Sequence, residues 1–420
     1  MRQDTTRRSR GLSRRSVLTA ATATLAMPSI GYAQTGAIKI GVPTILSGRV
    51  ALLGVSSVGG LKTVFDKVNA AGGINGRKIE LVVRDSKGAP QEAAKVTRDL
   101  INNDGCQIII DAEASSASSA VQEVIREIGV LCIHSNSETS SLTADPKLHV
   151  PTAFRSARQG IHDAIGGGQY AATVAKAKNL KRWLTCSPDY AYGRSNTAEF
   201  MEYASYFDAN IKVVEEAWPK LFQPDYTEVV TKVLNARADA VYSALWGGDL
   251  VAFIDQGNLY ALFDKLTCFM VNLGDYGVVD EVKQFPPGVH SGGRYNRTIP
   301  ATAENQAWYD SYVALNKSKP TNWSWENAVA AEFVVAGLKA TNGDTNGKKL
   351  ADAIKGMTIK SHFGAKGSLT MRAEDNTLTD YIIGFGLSLS KDPYITGFQG
   401  ADWGPIIDLE KQWKKKQGYA

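Results

Sequence analysis

The 420-residue sequence is poor in cysteine and histidine and contains no long hydrophobic run. Its four cysteines are too few for a disulfide scaffold, and its five histidines are scattered without metal-ligand spacing. No stretch approaches the ~18 uninterrupted apolar residues of a membrane-spanning helix, which excludes a multi-span membrane protein. We therefore expect this chain to need neither a metal nor a cofactor.

The common catalytic motifs are also missing. The sequence has no Gly-x-Ser-x-Gly element, no P-loop and no His-Glu-x-x-His pair. This favours a protein that is not an enzyme. It leaves open an enzyme whose acid and base groups converge from distant segments.

The first 33 residues have the three-part layout of an export signal. Arginines come first, an apolar stretch covers 17–30, and small residues end at Ala33. Adjacent Arg14 and Arg15 indicate a twin-arginine signal, with an ordinary secretory signal as the alternative. We expect a bacterial protein that is exported to the periplasm and begins after Ala33.

The positive net charge of the chain comes entirely from this leader. Six arginines and one acid fall within it, so the remainder carries 41 basic and 41 acidic side chains. A neutral body gives no general electrostatic reason to expect a nucleic acid as partner.

Short apolar runs alternate with amphipathic stretches of helical length from residue 38 to about 271. This alternation predicts βαβ units and parallel sheets with helices on both faces. Two such runs, divided near residue 155, predict an α/β protein with two doubly wound lobes. Segment 391–420 mixes glycine, proline and aromatic residues, and we expect an irregular C-terminal extension there.

An ordered series of glycine-rich motifs is the most specific feature of the sequence. It begins with Pro-Thr-Ile-Leu-Ser-Gly at 43–48 and continues with Asn-Ala-Ala-Gly-Gly-Ile-Asn-Gly-Arg-Lys-Ile at 69–79. Later landmarks keep the same order, at 114–118, 189–193, 246–248 and 363–367. The series resembles the periplasmic substrate-binding proteins of branched-chain amino acid type ABC transporters, including the leucine/isoleucine/valine-binding proteins.

This resemblance covers about residues 37–390 and implies the type I periplasmic binding protein fold. Two lobes would be joined by a hinge in which the chain crosses three times, near Arg155, Asn296 and Arg372. The first lobe would hold 37–155 plus 297–371, and the second 156–296 plus 372–390. Ligand would bind in the cleft between the lobes.

Two serines stand where a predicted strand passes into a predicted helix. Ser115 and Ser116 follow the strand at 108–110 and begin the next helix. A helix N-terminus offers free backbone N–H groups and the positive end of the helix dipole, and serine hydroxyls add donors. These residues favour a carboxylate site, with simple N-capping as the alternative. The resemblance supports the carboxylate site.

Other candidates follow neighbouring strands, because ligands of open α/β sheets bind at the carboxyl edge. The first lobe contributes small polar side chains and one arginine suited to an acidic ligand, namely Ser47, Arg49, Ser137 and Thr139. The second contributes aromatic rings and carboxylates, with core packing or surface solvation as alternatives: Tyr190, Tyr192, Trp246, Asp249 and Asp275. The resemblance implies that an acid near Asp275 pairs with a ligand ammonium. It also implies a small neutral residue where this chain has Glu138.

The sequence therefore predicts a monomeric, extracytoplasmic receptor that captures one small solute and delivers it to the membrane subunits of an ABC transporter. The resemblance implies an aliphatic amino acid, an amide or urea-like solute, or an aromatic carboxylate as ligand. An exported enzyme and a ligand-binding sensor module remain alternatives.

Overall fold

The computed structural model describes residues 36–419 together with Met1, so residues 2–33 of the predicted export signal lie outside the described part. No helix within this part is long and apolar enough to cross a membrane. The first sheet has five parallel strands, which are β1 (Ile38–Thr44), β2 (Ile79–Asp85), β3 (Ile108–Asp111), β4 (Leu131–His134) and β5 (Ala153–Arg155). Their order, β2-β1-β3-β4-β5, is that of a doubly wound sheet.

Helices connect the strands of this first lobe. They are α1 (Leu52–Ala70), α2 (Pro90–Asn102), α3 (Ser115–Ile128) and the short α4 (Ser141–Ala144). Gly72, Gly73 and Gly76 form the turn from α1 to β2 with φ values of 107°, 81° and 81°. These φ values explain why glycine stands at all three positions, because other residues rarely adopt this left-handed region.

The second lobe repeats the same winding. Its elements are α5 (Gly160–Lys178), β6 (Arg182–Cys186), α6 (Ala191–Phe207), β7 (Lys212–Ala217), α7 (Thr227–Asn235), β8 (Ala240–Ser243), α8 (Gly247–Leu259), α9 (Leu262–Lys265), β9 (Thr267–Met270), α10 (Tyr276–Val279) and β10 (His290–Gly292). The strands run in the order β7-β6-β8-β9-β10, all parallel. The predicted α/β fold with two doubly wound lobes is confirmed.

The chain then returns to the first lobe. Two helices, α11 (Ala303–Asn316) and α12 (Asn322–Ala340), pack on α1, and α13 (Gly347–Ile354) packs on α12. A small antiparallel sheet follows, made of β11 (Thr358–Lys360), β12 (Ser368–Met371) and β13 (Leu378–Thr379). Strand β13 still pairs with β12, and the chain enters the second sheet again after 380–383. The crossing near Arg372 stays a prediction.

The C-terminal segment is regular, which corrects the expectation of an irregular extension. Strands β14 (Gly384–Ser388) and β15 (Ile395–Gly400) add to the second sheet as antiparallel neighbours beyond β10. Helix α14 (Trp403–Gln417) then packs on α5. Asp402 caps this helix by accepting the N–H of Gly404. An aspartate at this position is a sequence signal for the start of a helix, but the glycine- and aromatic-rich sequence around it made the signal hard to recognise.

The central strands of both sheets, such as β3 and β8, are buried and mostly apolar, whereas the edge strand β7 is largely exposed. In the second lobe, Trp183 on β6 packs against Phe269 on β9 with ring centroids 4.8 Å apart. All four cysteines are buried and unpaired.

Candidate functional site

A cleft opens between the carboxyl ends of the two sheets. Its empty space, counted together with the solvent at its open mouth, is about 510 Å³. Most of its lining comes from loops that follow β3, β4, β6, β8 and β9, joined by residues of α1, α10 and α12. The lining residues are Leu53, Ala114, Ser115, Asn136, Glu138, Tyr190, Tyr192, Trp246, Gly247, Asn272, Asp275, Gly277, Val278, Asn322 and Trp323.

Ser115 is held as a hydrogen-bond donor toward the cleft. Its Oγ accepts the hydroxyl of Ser137 at 3.2 Å and the backbone N–H of Thr139 at 3.4 Å. Buried Arg155 fixes the loop that contains Ser137 and Thr139. Its Nη1 donates to the carbonyl oxygen of Ser137 and its Nη2 to that of Thr139, both at 2.6 Å. With two bonds accepted, the Ser115 hydroxyl has its proton left for a ligand oxygen.

The N-terminus of α3 adds backbone donors at the same place. The N–H groups of Ser115 and Ser116 have no protein acceptor among residues 36–419. Gly129 ends the helix in the left-handed conformation at φ 81°, so α3 is a complete 14-residue helix with its positive dipole end at Ser115. The arrangement suits an anionic oxygen pair such as a carboxylate.

A buried ion pair joins the two lobes next to Ser115 and the start of α3. Arg294, in the second crossing of the hinge, donates to Glu138 through Nη1 at 2.7 Å and through Nη2 at 3.1 Å. Burial raises the pKa of Glu138, against the lowering effect of the Arg294 charge. The bidentate geometry and the short distances favour the ionised pair.

Tyr192 extends this pair toward the second lobe. Its hydroxyl oxygen accepts Arg294 Nη2 at 3.3 Å and Asn272 Nδ2 at 3.1 Å. Since that oxygen accepts twice, its own proton is available to a ligand acceptor. Burial raises the pKa of Tyr192 well above its usual value, so the group is a phenol and not a phenolate.

Aromatic rings form one wall of the cleft. Trp246 lies 6.5 Å from Tyr190 and 5.7 Å from Trp323 between ring centroids, and Tyr190 lies 6.0 Å from Tyr192. The indole N–H of Trp246 is buried and meets no acceptor in good hydrogen-bond geometry among the described residues. Burial raises the pKa of Tyr190, and the nearby Trp246 indole acts to lower it. The wall therefore offers apolar area together with one further donor.

Asp275 lines the cleft but both of its oxygens accept backbone N–H groups. Oδ1 accepts Gly277 N at 2.8 Å, which caps α10, and Oδ2 accepts Asn322 N at 2.8 Å. The second bond connects the lobes, because Asn322 begins α12. Burial raises the pKa of Asp275 to about 6, although both N–H groups act to lower it.

The structure brings together five of the predicted site residues as cleft lining, namely Ser115, Tyr190, Tyr192, Trp246 and Asp275. Ser137 and Thr139 support Ser115 from behind, and half-buried Ser116 presents its backbone. Three other predicted residues lie outside the lining, which are Ser47, Arg49 and Asp249. Ser47 is exposed, and Asp249 is buried and accepts the N–H of Phe222 at 2.8 Å. Exposed Arg49 donates through Nη2 to the Gly248 carbonyl of the second lobe at 3.1 Å.

Several lining residues were not predicted from the sequence. Asn136, Asn272, Asn322 and Trp323 carry no motif, and the last two come from a helix far along the chain. The capping box at the start of α12, formed by Thr321 and Ser324, is the sequence signal that could have located that helix end. No Lys, Arg or His lines the cleft, and within 36–419 no group of three metal-ligating side chains is arranged to hold an ion.

The family model of the periplasmic binding proteins matches residues 37–384, which include every element from β1 to β13. The chain belongs to the periplasmic binding protein family. This confirms the predicted resemblance, and it explains why the cleft lies where two doubly wound lobes face each other.

Curated relatives are similar over most of their length. The Leu/Ile/Val-binding protein homolog 3 of Brucella melitensis is 26% identical over 81% of this chain and 89% of that protein. The leucine-, isoleucine-, valine-, threonine- and alanine-binding protein of Pseudomonas aeruginosa is 24% identical over 85% and 92%.

Solved structures share the fold of this binding protein. A solute-binding protein of an ABC transporter from Rhodopseudomonas palustris, in complex with 3,4-dihydroxybenzoic acid, has a TM-score of 0.77 at 22% identity, covering 88% of this chain and 99% of that one. A branched-chain amino acid transporter substrate-binding protein from Streptococcus pneumoniae, in complex with isoleucine, has a TM-score of 0.73 at 19% identity, covering 87% and 99%.

Proposed function

We propose that this binding protein is an extracytoplasmic receptor that captures a small carboxylate-bearing solute in the cleft and delivers it to an ABC permease. Family membership supports the receptor role. The observation that supports a carboxylate ligand lies at Ser115. There a hydroxyl proton and two free backbone N–H groups converge at the start of α3, and we call this place the Ser115 corner. Neutral donors of this kind hold an anion while allowing its release.

The rest of the ligand would lie against the aromatic wall. Tyr190, Trp246 and Trp323 offer apolar area for an aromatic or branched aliphatic body. Both bodies occur among relatives, since one similar structure contains 3,4-dihydroxybenzoic acid and another contains isoleucine. The Tyr192 hydroxyl and the Trp246 indole N–H would serve oxygen atoms of the solute.

Capture and release need no bond-making step, so we propose that the protein is not an enzyme. We also propose that it works as a monomer in the periplasm, where the membrane subunits of the transporter would receive its solute. Steady conversion of a bound solute by the pure protein would contradict this role.

A thermal-shift screen of amino acids, amides and aromatic acids identifies the ligand, because a ligand at 100 times its Kd adds ~2.7 kcal/mol of stability. Calorimetry then tests the corner. Ser115→Ala removes a donor to a charged group, worth ~1.5–3 kcal/mol, so affinity should fall about tenfold or more. Exposed Thr173, whose hydroxyl donates to the Gln169 carbonyl of its own helix α5, gives the control Thr173→Ala, which should bind as wild type.

The same calorimetry distinguishes the ligand classes through Asp275. An amino acid ligand whose ammonium faces Asp275 should bind Asp275→Ala much more weakly than it binds Ser115→Ala. An aromatic acid without an amine should lose less affinity in Asp275→Ala than an amino acid does, because it is affected only through the loss of the interlobe bond to Asn322. Wild-type affinity in both variants would place the site elsewhere.

A further inference from the structure

In the ion pair between Glu138 and Arg294, the Glu138 carboxylate lies between the buried Arg294 guanidinium and the cleft. Glu138 lines the cleft and its side chain is 8% exposed, whereas the Arg294 side chain is 1% exposed and does not line it. The two guanidinium nitrogens that contact Glu138, at 2.7 and 3.1 Å, are on the side of Arg294 that faces this cleft residue. A bound solute therefore meets the carboxylate of the pair and not the guanidinium.

Arg294 has further partners that keep it in place when Glu138 changes. Asp163 Oδ2 lies 3.7 Å from its Nη1, and Tyr192 Oη accepts its Nη2 at 3.3 Å. Its Nε donates to the Val271 carbonyl at 3.4 Å. The guanidinium would thus stay charged and oriented toward the cleft if Glu138 were neutral.

Glu138 has an open acceptor position on its own side. A carboxylate accepts at about four positions, and Glu138 uses three, for the two Arg294 nitrogens and for Asn322 Nδ2 at 3.4 Å. The remaining position can accept an O–H or N–H of a solute. A solute carboxylate placed there would meet a like charge in a site of low dielectric.

We propose that Glu138 determines ligand specificity by occupying Arg294, so that the cleft accepts solutes with one carboxylate and a hydrogen-bond donor and rejects those with a second carboxylate. This inference rests on the proposed function, which supplies the first carboxylate at Ser115. It goes beyond that function because it names the residue that excludes dicarboxylates.

Calorimetry with two matched sets of probes tests the inference. The aromatic set is benzoate, 4-hydroxybenzoate and benzene-1,4-dicarboxylate; the aliphatic set is 4-methylpentanoate, leucine and isobutylsuccinate. In the set that wild type binds, the dicarboxylate should bind at least tenfold more weakly than the plain monocarboxylate. Equal binding of the two by wild type would overturn the inference without any variant.

Glu138→Gln should then reverse the preference, because it removes the like charge and frees Arg294. The dicarboxylate should gain at least tenfold over wild type, and the advantage of the probe with a donor should fall about tenfold. Glu138→Asp keeps the charge and should keep the rejection. Glu199→Gln, a buried carboxyl outside the lining, should leave every ratio unchanged.

Two failures are distinguishable. A wild type that binds neither set overturns the proposed carboxylate function, and the inference with it. A wild type that binds monocarboxylates, with a Glu138→Gln variant whose dicarboxylate ratio stays within threefold of wild type, overturns the role of Glu138 alone.

Discussion

What each cleft side chain can offer a ligand depends on which of its hydrogen-bonding positions the protein leaves open. Ser115 and Tyr192 each accept two bonds, so each has a proton to donate to a ligand. Residue type and loop position alone predicted both residues as ligand contacts. Their roles as donors depend on partners that lie far away in sequence, such as Arg294, which is 102 positions from Tyr192.

Glu199 shows a residue whose chemistry only the fold determines. It lies on α6 and accepts one hydroxyl hydrogen bond, from Ser140 of the first lobe at 2.9 Å. Burial raises the pKa of Glu199 to about 8, even though Ser140 and Arg155 act to lower it. Nothing in its sequence neighbourhood distinguishes it from an exposed helical glutamate.

The raised pKa of Glu199 predicts a pH dependence of stability. Between its usual value near 4.5 and about 8, the folded chain holds a proton that the unfolded chain releases, so stability falls as pH rises through this window. Glu199→Gln should remove up to about 1.4 kcal/mol per pH unit of that slope. Urea unfolding of both proteins from pH 5 to pH 8.5 measures it. Parallel curves would show that Glu199 does not titrate there.

At the scale of elements, hydrophobic alternation predicted the long helices and the central strands, because these bury a regular apolar face. It missed α4, α9 and α10, which are single turns of four residues. Strand β10 covers only His290–Gly292. The chain leaves the sheet there and directs Arg294 to Glu138, so a tertiary contact overrides the apolar pattern.

Helix α14 is held in place by a cluster of charged side chains that the sequence pattern around it does not indicate. Glu410 accepts two bonds from Arg372 at 2.6 Å and lies 3.4 Å from Lys414 and 3.1 Å from His162. Burial acts to raise the pKa of Glu410, but His162 and Arg372 outweigh it and lower the pKa far below its usual range. The cluster attaches the last helix to the end of the small sheet.

Removing one charge from this cluster should destabilise the whole fold. Glu410→Gln leaves the guanidinium of Arg372 and the ammonium of Lys414 with less compensation, so the free energy of unfolding should fall by roughly 3 kcal/mol at pH 7. Urea denaturation with linear extrapolation measures this change. Asp408→Asn, two residues away on the same helix and 76% exposed, should change stability by less than about 0.5 kcal/mol. Equal effects of both substitutions would contradict a specific role for the cluster.

At the scale of the whole molecule, three connections link the first sheet and its helices to the second sheet, at 156–159, 293–302 and 380–383. Arg158, in the first of them, donates to the Ile382 carbonyl in the third at 2.9 Å, so these two connections are hydrogen-bonded to each other. The division into lobes was predictable because the winding repeats. The exact lobe bounds stay a prediction about which residues move together.

Contacts between the lobes around the cleft imply that closure and binding are coupled. Glu138 with Arg294, Asp275 with Asn322 and Arg49 with Gly248 each join the two lobes. A ligand that touches both Ser115 and the aromatic wall favours this closed arrangement, since only there are both sets of contacts made. Any contact that exists only on closure should therefore raise affinity without touching the ligand.

Arg49 provides the cleanest test of that coupling, because it lies outside the cleft lining and reaches Gly248 with a single hydrogen bond of 3.1 Å. Arg49→Ala should weaken ligand affinity about two- to fivefold, consistent with an exposed bond worth ~0.5–1 kcal/mol. The loss should appear mainly as faster dissociation, since opening precedes release. Stopped-flow kinetics with the ligand from the screen measures both rates. Lys62→Ala removes another first-lobe cation, which is partly exposed and pairs with Asp66 on the same helix, and should leave both rates unchanged. A slower association with unchanged dissociation in Arg49→Ala would instead show that Arg49 attracts the anionic ligand, the role predicted for it from sequence.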